Sequence, residues 1–135
     1  MEQEYVLAMQ EQLQELSEEL AELSELVLFG NISRIAYRAT ERNLQLLTEA
    51  CIGIAKQRLK SLGVVLPNDA RQTFNKLSAL GCDASGIEWN KVIGLRNALV
   101  HDYLNIEPEI VLSILRSKQY QSLLDFAQQQ LTAES

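Results

Sequence analysis

The 135-residue chain has the length of one domain, expected to span residues 1–135, and its 47% hydrophobic and 22% charged residues exclude a disordered protein. The net charge of −6 does not exclude RNA, because residues 1–33 hold eight glutamates and no Lys or Arg, whereas the remainder is net positive. No apolar run approaches about 18 residues, and the acidic N-terminus lacks a secretory-signal pattern, so we expect no membrane span and a cytoplasmic location.

The first predicted helix, residues 3–29, carries one apolar stripe along about four heptads. Its members alternate three- and four-residue spacings, which is typical of one helical face: Leu13, Leu16, Leu20, Leu23 and Val27. This length favours packing along a neighbouring helix. Its glutamates fit a solvated face, and Gly30 followed by Asn31 predicts a helix end and then an N-cap.

The second predicted helix covers residues 32–62. Its expected inward face consists of Ile35, Ala39, Leu46, Ala50, Ile54 and Leu62. Arg34, Arg38 and Arg42 recur every four residues and so form one basic row. We favour ion pairs between this row and the acidic first helix. Contacts between the row and the phosphates of an RNA strand are the functional alternative.

Three more helices are predicted downstream. Residues 70–80 form a short third helix that Asn68 or Asp69 caps and Gly81 ends, with Phe74, Leu77 and Leu80 facing inward. The fourth helix ends near His101. A fifth begins at Glu107-Pro108-Glu109 and carries an apolar stripe from Ile110 to Leu131. Without a strand pattern, the chain is predicted to be an all-α bundle of about five helices.

The residues with the most chemical potential lie at the end of the fourth helix, in the stretch from Leu95 to Tyr103. It holds the only histidine of the chain, His101, five residues after Arg96. An imidazole can transfer a proton near neutral pH, and a guanidinium can bind a phosphate with two hydrogen bonds. Together they suit cleavage of RNA by its own 2′-hydroxyl. A helix end with a solvent-facing Arg, a capping His and an interfacial Tyr is the structural alternative.

A single chain would not complete such a site. Residues 96 and 101 lie about 140° apart around a helix, and base and acid are both needed for efficient cleavage. A two-fold homodimer would bring two copies of each residue to one cleft. Asn97, four residues before His101, is a candidate to orient the imidazole. No metal-ligand spacing or phosphate loop occurs, and Cys51 and Cys82 are expected to be free thiols.

The arrangement Arg96, four residues, His101, one residue, Tyr103 resembles the signature of the HEPN superfamily, and specifically of its HepT-like toxin branch. The whole stretch R-N-A-L-V-H-D-Y is similar, including Asn97 and Asp102. So are the run N-L-Q-L-L-T-E-A-C-I-G-I-A of the second helix and L-G-V-V-L-P ahead of the third. The similarity covers about residues 40–131, and it departs at Gly53, where many relatives have Asp.

The resemblance implies a HEPN-type helical homodimer with a long N-terminal helix pair, acting as a metal-independent endoribonuclease without a cofactor. Arg96 and His101 would be catalytic in a cleft between protomers, with Asn97 and Asp102 in support. The substrate would be tRNA or mRNA. The implied partner is an MNT-type nucleotidyltransferase antitoxin of a type VII toxin–antitoxin system, which would transfer AMP to Tyr103. If the missing acid at Gly53 normally shapes the cleft, activity or substrate choice would differ.

Two other hypotheses remain at this point. The first is a helical dimer that binds a nucleotide or a nucleotidyltransferase without cleaving RNA. It shares the surface around Tyr103 and differs in giving no RNA cleavage products. The second is a helical scaffold in which the Leu stripe of the first helix holds two copies together.

Overall fold

The computed structural model describes residues 1–133 and contains, within that range, six α-helices, one 3-10 turn and no strand. The helices are α1 (Gln3–Leu28), α2 (Arg34–Ser61), α3 (Ala70–Ala79), α4 (Trp89–His101), α5 (Pro108–Arg116) and α6 (Tyr120–Thr132). The 3-10 turn, Tyr103–Asn105, follows α4 directly. This architecture confirms the predicted all-α bundle with its long N-terminal pair. None of the helices in the described range is both long and apolar enough to cross a membrane.

The long helix α2 is the centre of the bundle, because it packs against α1, α3, α4 and α6. The predicted stripe of α1 is buried and belongs to the same core. Since α1 packs on α2, α5 and α6 of its own chain, this stripe is not available to hold two copies together. The scaffold hypothesis therefore loses the surface on which it depended.

Five apolar residues that were predicted to face the core are exposed instead: Ile35, Ala39, Leu62, Leu80 and Ile110. On α2 the predicted face is confirmed at Ala50 and Ile54, which are buried, but the buried face also includes polar residues, among them Thr40 and Thr48. Each of these two hydroxyls donates to a carbonyl one turn back in the same helix, at 2.9 Å. A threonine satisfied in this way tolerates burial, and the apolar pattern therefore misplaced part of the face.

Most helix ends lie where the sequence placed them. Gly63 and Gly81 have φ of 74° and 75° and follow the ends of α2 and α3, as predicted. Asp69 caps α3 by accepting a backbone N–H at 2.8 Å. The N-cap prediction for α2 was wrong, because Ser33 and not Asn31 accepts the first-turn N–H, at 3.0 Å.

The predicted fifth helix is two helices, α5 and α6, separated at Ser117-Lys118-Gln119. Lys118 has a left-handed φ of 54°. Its N–H donates to the Leu115 carbonyl at 3.2 Å, and the next N–H donates to the Ile114 carbonyl at 3.1 Å. This pair of bonds is the Schellman helix end, which usually has Gly at the left-handed position. With Lys there, the sequence carries no sign of the break.

A buried polar link holds the second half of the chain against α1. The Ser24 hydroxyl donates to the Leu115 carbonyl at 2.7 Å. Its one proton is thereby used, so the Tyr120 hydroxyl, 2.9 Å away, donates to the Ser24 oxygen. The link joins α1 to the end of α5 and the start of α6, and all its groups are satisfied.

Candidate active site

Helix α4, which carries the candidate residues, is anchored at its first residue. The Trp89 ring stacks on Phe74 with centroids 3.7 Å apart and planes 5° apart, and meets the edge of Phe126 at 4.7 Å. Its indole N–H donates to the Asp83 carboxylate at 2.8 Å. A large aromatic group packed on two sides and hydrogen-bonded fixes the start of the helix. The other end of α4, with the candidate catalytic groups, projects from this anchor.

Arg96 lies in the middle of α4 and is partly buried. Its Nε is fully buried and has no hydrogen-bond partner, and no carboxylate of the described chain forms a salt bridge with it. An unpaired buried donor costs about 1–3 kcal/mol, more when it carries charge. The positive charge of this guanidinium is therefore not neutralised by any carboxylate within residues 1–133.

His101 is the last residue of α4 and is exposed. The side chain of Asn97 does not hydrogen-bond to it, and within residues 1–133 the imidazole has no hydrogen-bond partner. Both imidazole nitrogens therefore remain open to solvent. Since Arg96 and His101 share one straight helix, five residues apart, the chain directs them about 140° apart.

Tyr103 begins the 3-10 turn and is 47% exposed. Two hydrogen bonds of Asp102 stabilise this turn. The Asp102 N–H donates to the Ala98 carbonyl at 2.8 Å, and the Asp102 carboxylate accepts from the Asn105 side chain at 2.6 Å. Asp102 thus positions the turn that presents Tyr103. The Cα atoms of residues 101 and 103 are at most about 7 Å apart.

A groove of about 230 Å³, here called the Tyr103 groove, adjoins this turn. Helix α2 lines one wall with Arg34, Tyr37, Arg38 and Glu41. The other wall is formed by residues 103, 104, 106 and 108. Two members of the basic row therefore face the tyrosine that the sequence singled out, and the groove lies between the start of α2 and the end of α4.

The favoured interpretation of the basic row, ion pairs with α1, is wrong. Across the described part of the chain, Arg34, Arg38 and Arg42 form no salt bridge with any carboxylate. All three side chains are exposed at the surface. Arg34 and Arg38 line the Tyr103 groove and Arg42 does not. The reason is rotation around α2, since residue 42 lies about 80° from residue 34.

Sequence reasoning did not identify Tyr37 as a member of the site. Its ring is partly buried beside Tyr103, and burial and the carboxylate of Glu41 raise the pKa of its hydroxyl against the opposing charge of Arg38. The hydroxyl therefore stays protonated at neutral pH. In the sequence, the only indication of a role for Tyr37 was its position between Arg34 and Arg38 of the basic row. The folded chain places it in the same groove as residue 103.

Gly53 is remote from the Tyr103 groove. It lies twelve residues beyond Glu41, which is about 18 Å along α2. A Cβ at this position would lie 3.7 Å from the Tyr5 hydroxyl of α1, an ordinary contact.

The described residues were also compared with the requirements of a metal site and of a cysteine nucleophile. Within residues 1–133, no group of three or more His, Cys, Asp or Glu side chains is placed to hold a metal ion. Both cysteines are free. Cys51 is buried, its thiol donates to the Leu123 carbonyl, and burial raises its pKa, so it is a poor nucleophile.

Comparison with known proteins identifies a family. A family model described as "Ribonuclease HepT-like" matches residues 7–130. The chain is 33% identical over 76 residues to a protein of Shewanella oneidensis named "mRNA nuclease HepT". That alignment covers 55% of this chain and 57% of the relative, so the chain matches a little over half of the relative's length. No solved structure matches the chain.

Proposed function

This chain belongs to the HepT-like ribonuclease family, and from that premise we propose that it is a metal-independent endoribonuclease toxin of a type VII HEPN/MNT toxin–antitoxin system. The observation that carries the proposal is local. The only histidine of the chain is exposed at the end of α4, between an unpaired Arg96 and an exposed Tyr103. The relative's name, an mRNA nuclease, makes RNA the substrate class to test first.

The proposed chemistry uses the ribose next to the scissile phosphate. His101 takes the proton of the 2′-hydroxyl, and the 2′-oxygen forms a bond to phosphorus. The bond from phosphorus to the 5′-oxygen breaks, and this oxygen receives a proton from an imidazolium. Arg96 binds the non-bridging oxygens, where charge accumulates. The products are a 2′,3′-cyclic phosphate and a 5′-hydroxyl.

Two copies of the chain are part of the proposal. One copy supplies one histidine, and its arginine points about 140° away around α4. In a two-fold dimer with α4 at the interface, Arg96 of one protomer meets His101 of the other, and two imidazoles share the work of base and acid. Asn97 would gain a role in orienting the imidazole only in such a complex.

The purified protein should cleave total RNA in excess EDTA and leave 2′,3′-cyclic phosphate ends, because the attacking group is supplied by the RNA itself. End-specific ligation or mass spectrometry of the fragments measures this. Intact RNA in EDTA, with cleavage restored by Mg²⁺, would contradict the metal-independent mechanism. Intact RNA under every condition would favour a helical dimer that binds a nucleotide or a nucleotidyltransferase without catalysis.

Neutralisation is proposed to occur by transfer of AMP from an MNT-type nucleotidyltransferase antitoxin to the Tyr103 hydroxyl. The bulky anion would then stand beside the cleavage centre and repel the RNA backbone. Tyr103→Phe keeps the ring and removes the acceptor oxygen. Cells that produce this variant should stay growth-arrested in the presence of the antitoxin, whereas the parent is neutralised. Mass spectrometry should find the adenylyl group on the parent peptide, and full neutralisation of Tyr103→Phe would rule out this residue.

A further inference from the structure

The Tyr103 groove presents two cations whose charge the chain leaves free. Arg34 and Arg38 are exposed and form no salt bridge within residues 1–133. They stand one turn apart at the beginning of α2, where the helix dipole adds positive potential. Glu41 is the one carboxylate among the lining residues, so the groove keeps a positive excess. An unpaired pair of guanidinium groups in a concave site favours a phosphate.

The aromatic residues of the groove add a second kind of contact. Tyr37 lies on the wall formed by α2, and Tyr103 lies on the opposite wall. Rings beside a basic track are the combination with which proteins hold single-stranded nucleic acid, because every base has a face that can stack. Leu104, which is 81% exposed, adds an apolar side chain to the same wall as Tyr103.

The position of the groove connects it with the proposed chemistry. The Cα of Tyr103 lies within about 7 Å of the Cα of His101, because only Asp102 separates the two residues. If the scissile phosphate of an RNA strand lay at His101, a neighbouring nucleotide of the same RNA would therefore lie in the groove. We therefore favour RNA over a protein as the occupant of the groove, because the two unpaired arginines lie next to the proposed cleavage centre.

We propose that the Tyr103 groove is a substrate subsite that binds the nucleotide next to the scissile phosphate of a single-stranded RNA. Arg34 and Arg38 contact its phosphate, and Tyr37 stacks on its base. These three are binding residues and not catalytic ones. The inference rests on the proposed function, which it extends by the class of RNA and the residues that hold it.

The subsite also explains how a group on Tyr103 would inhibit the protein. An adenylyl group attached there carries the same two features as a nucleotide of the substrate, a phosphate and a base. Placed on the wall of the groove, it would occupy the binding positions of Arg34, Arg38 and Tyr37. Inhibition then follows from occupation of the subsite as well as from charge repulsion.

The test measures RNA binding separately from cleavage. In a His101→Ala background, fluorescence anisotropy with a short fluorescein-labelled single-stranded RNA gives the affinity. Adding Arg34→Gln and Arg38→Gln should weaken binding about tenfold or more. The slope of log affinity against log salt concentration should fall by about 0.7 for each phosphate that the variant no longer binds. The matched control is Arg71→Gln with Lys76→Gln, two exposed cations on α3, which should bind as the background does.

Tyr37 is tested by a pair of variants. Tyr37→Phe should retain the affinity of the background, because the ring still stacks. Tyr37→Leu should lose about tenfold, because a base stacks poorly on an aliphatic side chain. Circular dichroism and urea unfolding confirm that both variants keep the fold, since this ring is partly buried.

The outcomes separate the two proposals. If the wild-type protein cleaves RNA but the arginine variants bind as tightly as the α3 control, the subsite is wrong and the nuclease assignment stands. If the wild-type protein does not cleave RNA but the arginine variants lose binding, the groove binds RNA, whereas the nuclease assignment and with it the substrate subsite are wrong. Absence of RNA binding by the His101→Ala protein would overturn the subsite directly.

Discussion

Replacement of His101 with alanine should slow RNA cleavage by about 10²–10⁴-fold and relieve growth arrest. The variant lacks the group that accepts and returns the proton, while the phosphate contacts of Arg96 and the groove remain. The loss should therefore fall mainly on kcat. Single-turnover cleavage of a labelled RNA measures the rate. Folding should be unaffected, because the side chain is exposed at a helix end and makes no hydrogen bond within residues 1–133.

The control for this variant is Lys91→Ala on the same helix. Lys91 is exposed and forms a surface salt bridge with Glu88 at 2.8 Å, worth little to stability. It should cleave RNA at the parental rate. Equal activity of the His101→Ala protein and the parent would remove the assignment of His101.

Replacement of Arg96 with alanine should lower the cleavage rate by about 10²–10³-fold, because charge on the non-bridging oxygens loses its partner. Arg96→Lys keeps the charge but not the two-pronged geometry, so it should recover only part of the rate. The measurement is kcat/KM on the same labelled RNA. A lysine variant as active as the parent would indicate that a point charge suffices and would exclude a bidentate phosphate contact.

Arg96 is partly buried, so its variants need a check on the fold. Arg96→Met preserves most of the aliphatic stem and removes the charge. The urea midpoint of this variant should match that of the parent or exceed it, because an unpaired buried donor disappears. Loss of activity with the midpoint retained assigns the effect to chemistry. Parental activity in Arg96→Met would contradict a role in the reaction.

Much of the fold was accessible from local signals. Gly63, Gly81 and Asp69 each impose a helix end through their own conformational preferences, and the structure places the ends there. The division between α5 and α6 was not accessible, because Lys118 adopts a left-handed conformation that the sequence does not announce. The left-handed conformation of a non-glycine residue costs about 1–2 kcal/mol, and the packing of α6 on α1 and α2 offsets this cost.

The candidate site divides in the same way. Arg96, His101 and Tyr103 lie within eight residues of one helix and its turn, so they could be singled out along the chain, and the resemblance to the HEPN signature supplied their common role. The Tyr103 groove joins residues more than sixty positions apart and exists only when α4 ends beside the start of α2. Long-range packing of this kind leaves no local pattern, and Tyr37 could not be assigned without it.

The separation of Arg96 and His101 around α4, about 140°, is the reason for proposing a shared site. If both residues act on one phosphate, a second copy of the helix would supply the missing member. Within residues 1–133 neither side chain forms a salt bridge, and His101 is exposed.

The most direct measurement of the shared site is to mix the two inactive proteins, His101→Ala and Arg96→Ala. A heterodimer would hold one intact pair, with Arg96 from the first chain and His101 from the second. Isolated through two different tags, this heterodimer should cleave RNA faster than a heterodimer of the parent with the Arg96→Ala/His101→Ala double variant, which also holds one Arg96 and one His101 but carries both on the same chain. Equal rates of the two heterodimers would contradict a cleavage site built across two copies of this chain.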